Sequence, residues 1–128
     1  MKAKNFGKLM LFLVLAMLTT YMAAASVFVK DVSFVSGETK LTDAVTTQSF
    51  ICQWIVFGDQ LTYKTNVTIT INGKPYVDNE QYLAIKDNTP TISTTVDQSI
   101  TNIGDTFECT VIATDGSTSD TKKATITV

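Results

Sequence analysis

Hydrophobic and polar residues alternate along most of the chain after residue 26, and Gly, Asn and Asp interrupt this alternation every eight to twelve residues. A period of two places successive side chains on opposite faces of a β-strand, and short strands at this spacing are typical of an all-β sandwich. The pattern predicts strands at Val27–Val35, Gln48–Phe57, Lys64–Ile71, Lys74–Val77, Gln81–Ile85, Thr91–Val96, Thr106–Ala113 and Lys122–Val128. Asn72-Gly73 predicts a tight hairpin turn, since both residues tolerate a positive φ. We therefore expect an all-β sandwich of about seven to eight strands.

The strand predicted at Gln48–Phe57 is apolar on both faces. Its inward set is Phe50, Cys52, Trp54 and Val56. On the opposite face Ile51, Ile55 and Phe57 are large and apolar, where a strand facing water should be polar. Either the chain covers these three residues, by the Val27–Val35 strand, a loop or a bulge near Trp54, or they form an exposed interface for a partner or for self-association.

Cys52 and Cys109 are the only cysteines, and each lies on the inward side of a predicted strand. In an exported protein such a pair predicts a disulfide between the two sheets of the sandwich, the alternative being two buried free thiols. Trp54 and Phe107 each lie two residues from one of these cysteines on the same face. We expect both aromatic side chains to pack in the core beside the bridge.

The first 25 residues have the three parts of a secretory signal peptide. A short basic segment precedes the apolar run Leu9–Leu18, and Ala23-Ala24-Ala25 supplies the small residues of a cleavage site. This layout predicts a signal peptide at 1–25 and one domain at 26–128, secreted or at the cell surface and without a membrane segment once mature. Two alternatives are an uncleaved membrane anchor and a prepilin leader cut near Gly7.

Charge and composition limit the chemistry. Without the leader's three lysines, 7 Lys face 12 Asp plus Glu, a net charge of −5, and neither Arg nor His occurs. An acidic domain without Arg is a poor candidate for nucleic-acid binding, and the lack of His removes the commonest general base. We expect no enzyme and no cofactor. Three aspartates follow predicted strands and could meet at one end of the sandwich: Asp59, Asp87 and Asp115. They are either solvated turn residues, ligands of a weak calcium site or the carboxylates of a hydrolase.

Four segments carry a resemblance to a known group of repeats. They are Phe50–Trp54, Leu61–Tyr63, Asn72-Gly73 and Ile103–Gly116. They resemble the Ig-like and PKD-like repeats of prokaryotic, particularly archaeal, secreted and cell-surface proteins, in which a Cys-x-Trp strand pairs with a Gly-Asp-x-aromatic-x-Cys-x-Val-x-Ala-x-Asp-Gly strand. The likeness covers 48–128 and implies an immunoglobulin-like Greek-key fold. The Asp-rich loop that such repeats often carry after the Trp is only Phe57–Gln60 in this chain.

These observations favour a secreted, non-enzymatic module for cell-surface interaction, adhesion or extracellular structure, with a protein or surface glycan as partner. The first alternative is a filament subunit that assembles by donating its Ser26–Val35 strand or by apolar self-association. The second is a carboxylate-based hydrolase. Asn66-Val67-Thr68 is the single N-glycosylation sequon, and it is either a modified site or a chance match in a chain rich in Thr.

Overall fold

Eight strands and one short 3₁₀-helix follow each other along residues 27–42, 48–86 and 89–128, the part of the chain that the computed structural model describes. The strands are β1 (Phe28–Ser36), β2 (Thr39–Lys40), β3 (Ile51–Phe57), β4 (Thr62–Ile71), β5 (Lys74–Ile85), β6 (Thr91–Ile92), β7 (Thr106–Thr114) and β8 (Ser119–Thr127), and the 3₁₀-helix is Gln98–Ile100. The predicted signal peptide at 1–25 lies outside the described residues. No helix in the described ranges has the length and apolar character needed to cross a bilayer.

The strands form two antiparallel sheets of four. Sheet one has the order β2-β1-β3-β6, and sheet two has the order β5-β4-β7-β8. Strands β3 and β4 lie in different sheets, as do β5 and β6 and also β6 and β7, so the chain crosses between the layers three times in this region. This is the strand arrangement of an immunoglobulin-like sandwich, in which one disulfide joins a central strand of each sheet. The predicted all-β Ig-like fold class is confirmed.

The largest difference from the predicted strands is β5. Lys74–Val77 and Gln81–Ile85, predicted as two elements, form one strand of 12 residues. Opposite β4, it holds one extra residue between Val77 and Glu80 and another between Pro75 and Val77, and Asn79 has a φ of 50°. Each extra residue shifts the alternation by one position, so the strand does not show a continuous period of two. The predicted hairpin turn is present, with Asn72 at φ 52° and Gly73 at φ 83°.

The core fills the space between the sheets. The inward residues of β3 and β7 are almost all fully buried, as the alternation predicts: Cys52, Trp54, Val56, Phe107, Cys109, Val111 and Ala113. The rings of Phe34, Phe50 and Phe107 meet edge to face, with centroids 5.3 Å apart in the first pair and 5.1 Å in the second. Aromatic pairs in this geometry add stability beyond their buried area. The core therefore fixes the two sheets relative to each other, and each sheet turns its other side outward.

Candidate functional site

The disulfide Cys52–Cys109 joins β3 of sheet one to β7 of sheet two, with 6.5 Å between the Cα atoms. Trp54 and Phe107 are buried in the same core cluster as the bridge. The rings of Trp54 and Tyr82 meet edge to face, with centroids 5.5 Å apart. The indole Nε1 of Trp54 is buried and has no hydrogen-bond partner in the described part of the chain. These residues face the interior, so they shape the scaffold and are not available to a partner.

The outer face of sheet one is apolar over its central strand. On β3 the burial alternates strictly, with Ile51, Ile55 and Phe57 half-buried and facing away from the core. The bulge considered near Trp54 is absent from this strand. The register shift lies in β1, between Lys30 and Ser33. The alternation along β3 therefore keeps these three side chains on the outside of the sandwich.

Two neighbouring strands extend this outer face. Phe28 of β1 lies opposite Phe57, and Ile92 of β6 lies opposite Gln53, so both share the outer side of the sheet. Phe28 is 44% exposed and Ile92 is 54% exposed. We call the five residues Phe28, Ile51, Ile55, Phe57 and Ile92 the apolar face. The polar residue Gln53 lies between Ile51 and Ile55 on the same side of β3. Apolar residues grouped on an outer surface mark an interaction site more often than scattered ones do.

Two lysines lie on the rings at one end of the apolar face. The Lys30 ammonium is 5.6 Å from the centre of the Phe57 ring, and the Lys122 ammonium is 5.4 Å from that of Phe28. Lys122 is also 3.4 Å from Asp120, whereas Lys30 has no carboxylate partner among the described residues. The attraction of each cation to the ring is electrostatic. This end of the apolar face therefore carries positive charge in a domain whose net charge is negative.

Asp120 closes the open edge of β1. Its Oδ2 accepts a hydrogen bond of 2.8 Å from the backbone N–H of Val29, in a part of β1 that β2 does not reach. A charged side chain at such a position satisfies a free strand edge and opposes the pairing of another strand there. The segment that strand donation would use, Ser26–Val35, is paired with β3 of its own chain from Phe28 onward.

The loop that carries Asp59 and the turn that carries Asp115 meet at one end of the sandwich, and the end of β5 lies beside them. Gln60, next to Asp59, donates through Nε2 to the backbone oxygen of Asp115 at 3.3 Å, and the backbone N–H of Lys86 donates to Leu61. Asp87 lies outside the described residues. In 27–42, 48–86 and 89–128 no three His, Cys, Asp or Glu side chains gather closely enough to hold a metal.

Hydrogen bonds within its own turn occupy the Asp115 carboxylate. Oδ1 accepts from the backbone N–H of Thr118 at 2.7 Å and of Ser117 at 2.8 Å, and Oδ2 accepts from the Thr118 hydroxyl at 2.9 Å. These bonds, the one from the Thr118 backbone first, lower the pKa of Asp115 below its usual value. A carboxylate engaged in this way stabilises a turn and is a poor general acid.

Tyr63 has a structural role that the pattern of the sequence did not reveal. Its ring is buried, and its hydroxyl accepts a hydrogen bond of 2.7 Å from the backbone N–H of Gln60, in the loop that joins β3 to β4. The ring lies against Gly58, where any Cβ would collide with the Tyr63 hydroxyl. A tyrosine at the start of a strand, with a glycine in the loop before it, is the signal that could have indicated this role, since the Tyr63 hydroxyl bonds to the backbone upstream as in a tyrosine corner.

The sequon lies on the outer face of sheet two. Asn66 and Thr68 are outward residues of β4 and are partly exposed. Asn66 donates through Nδ2 to Asn79 Oδ1 at 3.1 Å, and the Thr68 hydroxyl accepts from the backbone N–H of Asn79 at 3.1 Å. Most other outward residues of β4 and β7 are threonines. We call Thr62, Thr68, Thr70, Thr106, Thr110 and Thr114 the hydroxyl face.

Comparison of the chain with models of known families, with characterised proteins and with solved structures found no match.

Proposed function

We propose that the chain is a secreted, non-enzymatic Ig-like module of the cell surface that binds a protein partner through its apolar face. The observation that carries this proposal is the apolar character of the outer side of β3, which the sandwich does not need for its own core. Kinship with the PKD-like repeats of archaeal surface proteins is part of the same proposal and is supported by the sequence resemblance and by the Ig-like fold.

Secretion is proposed from two independent features. The leader has the layout of a signal peptide, and the Cys52–Cys109 pair is in the geometry of a disulfide. Disulfides persist in oxidising compartments outside the cytoplasm, and a domain of this size gains stability from one. The two features support the same location.

The partner surface that fits the apolar face is apolar at its centre and carries carboxylates at its rim. Burying a large apolar side chain completely contributes about 1.5–3 kcal/mol relative to leaving it in water, and Phe28 and Ile92 are still about half exposed. Lys30 and Lys122 would meet the carboxylates at one end. Opposite charges across an interface mainly raise the association rate and select the partner.

The test replaces Ile51 and Ile55 by Thr, which keeps the β-propensity of the strand while removing apolar surface. Binding of the labelled mature protein to the surface of its own cells should be saturable, should be lost when the cells are treated with protease, and should fall at least tenfold in the double variant. The matched control is Ile85→Thr with Ile103→Thr, two exposed isoleucines outside the apolar face, which should bind like the wild type.

Unchanged binding by the Ile51/Ile55 variant, measured at a temperature where the variant is folded, would overturn the role of the apolar face. Binding that survives protease treatment of the cells would point to a glycan partner. Sedimentation of the purified wild type without cells tests the remaining alternative, which is self-association as a filament subunit. A wild type that polymerises, beside a variant that stays monomeric, would identify the partner as a second copy of the chain and favour the filament subunit.

A further inference from the structure

One apolar residue interrupts the hydroxyl face. The outward residues of β7 are threonines and a glutamate except for Ile112, which is 41% exposed. The edge strand β5 carries two more exposed apolar residues on this outer face, Leu83 and Ile85. Ile112 is the one exposed apolar residue that the two central strands, β4 and β7, present outward. Its position along the strand is therefore informative.

Ile112 lies directly opposite Asn66, the acceptor residue of the sequon, in the antiparallel pair of β4 and β7. Side chains that face each other across such a pair are about 5 Å apart at their Cβ atoms. The Thr68 hydroxyl, which completes the sequon, lies on the same side of β4. The outward apolar residue of β7 and the acceptor amide of the chain are thus immediate neighbours.

The Asn66 amide keeps one hydrogen available. An amide nitrogen carries two hydrogens, and Nδ2 of Asn66 donates one of them to Asn79 Oδ1 at 3.1 Å. Replacement of the other hydrogen by a sugar leaves this bond intact. The same bond fixes the orientation of the side chain, since Asn79 also contacts Thr68 through its backbone N–H.

We propose that Asn66 is N-glycosylated during export and that the first sugar packs the C–H groups of its ring on the Ile112 side chain. In the transfer, Nδ2 forms a bond to the anomeric carbon of a lipid-phosphate-linked oligosaccharide. The bond from that carbon to the phosphate oxygen breaks, the lipid phosphate leaves with the electron pair, and Nδ2 loses one proton. The proposal rests on the export proposed above and goes beyond it, because it assigns a modification site and the residue that receives the sugar.

A glycan at this position would give the two outer sides of the sandwich different roles. It would cover the hydroxyl face of sheet two and leave the apolar face of sheet one, on the opposite side, free for the partner. The bulky and hydrated glycan would also oppose association through the wrong side.

The first test is the mass of the protein recovered from the exterior of its own cells, with the position of any modification read from peptide fragmentation. We expect an excess mass on Asn66 in the wild type and in Thr68→Ser, and none in Asn66→Gln or Thr68→Val. An unmodified Asn66 in the exported wild type would overturn the proposal. The N-terminus of the same sample shows whether the leader was removed, so failure of the modification is distinguished from failure of export.

The second test addresses the contact with Ile112. The melting temperature of the glycosylated protein is compared with that of the same sequence made in a host without the glycosyltransferase. We expect the glycan to raise the melting temperature of the wild type and to raise that of Ile112→Thr clearly less. Ile85→Thr, an outward residue at the far end of β5, is the control and should keep the full increase. An equal increase in Ile112→Thr and in the wild type would overturn the packing of the sugar on Ile112.

Discussion

The two outer faces of this sandwich differ far more than the two inner faces do. Inside, β3 and β7 each contribute a cysteine and fully buried apolar residues, joined by one bridge. Outside, β3 shows Ile51, Ile55 and Phe57, whereas the central strands of sheet two show mainly threonine. The two sheets share one core, so the fold requires apolar residues only on the inner side of each sheet. The difference outside therefore points to function, not to stability.

Charge follows the same division. On the apolar face, Lys30 and Lys122 lie over aromatic rings. On the sheet-two side, Glu108 is 3.8 Å from Lys123, an exposed ion pair that contributes little to stability. A surface of aromatic rings and aliphatic residues is suited to a partner, whereas a surface of hydroxyls is well solvated. The two lysines add selectivity for a partner of opposite charge.

The largest effect should come from removing the link that both faces share. Replacing Cys52 and Cys109 by Ala opens a loop of 57 residues and should lower the free energy of unfolding by about 2–5 kcal/mol. Urea denaturation of the double variant and of the wild type measures it. Reduced wild type is the control and should unfold near the variant. A midpoint unchanged by either treatment would show that the core alone holds the sheets together.

The inner faces were predictable from the sequence because burial repeats locally, every second residue. This rule alone predicts the inward positions of Cys52, Trp54, Val56, Cys109 and Val111, and all five side chains are buried. The rule does not hold along β5, where residues without a partner on β4 shift the alternation. A bulge is defined by the pairing of two strands, so the pattern along one strand does not report it.

The apolar face was predictable only in part for the same reason. Alternation placed Ile51, Ile55 and Phe57 outward, but Phe28 and Ile92 join them through pairing with other strands. The position of Ile112 opposite Asn66 likewise depends on the register of β4 and β7. The bond from Tyr63 to the Gln60 backbone depends on the shape of a loop, for which the sequence pattern has no period.

The next prediction compares three isoleucines, one in the core and one on each outer face of the sandwich. Ile69→Thr in the core should cost about 2–4 kcal/mol, because it leaves a cavity and buries a hydroxyl. In the unglycosylated protein, Ile112→Thr on the outer face of sheet two should cost less than about 1 kcal/mol, and Ile55→Thr on the apolar face should lie between the two. Chemical denaturation at equal m-values gives the order. A cost for Ile55 as large as that for Ile69 would place Ile55 in the core and remove the basis for an interface.

The smallest effect concerns acid and the turns of sheet two. Asp105 accepts hydrogen bonds from the Asn72 side chain, its strongest influence, and from the backbone N–H of Asn102, and Asp115 accepts from its own turn. These bonds lower the pKa of both carboxyls below the usual 3.8.

A carboxyl with a lowered pKa in the folded state binds protons less readily than in the unfolded state, so the stability it adds is complete above pH 3.8 and is lost as the pH falls through the folded pKa. Amide exchange protection of Ser117 and Thr118 should therefore decrease between pH 5 and about pH 2, while amides of β3 beneath the apolar face keep theirs. Asp115→Asn is the control and should make the protection of this turn insensitive to acid. An equal loss of protection in β3 and in the turn would mean that acid destabilises the whole fold, and that the carboxylate hydrogen bonds do not act on the turns of sheet two alone.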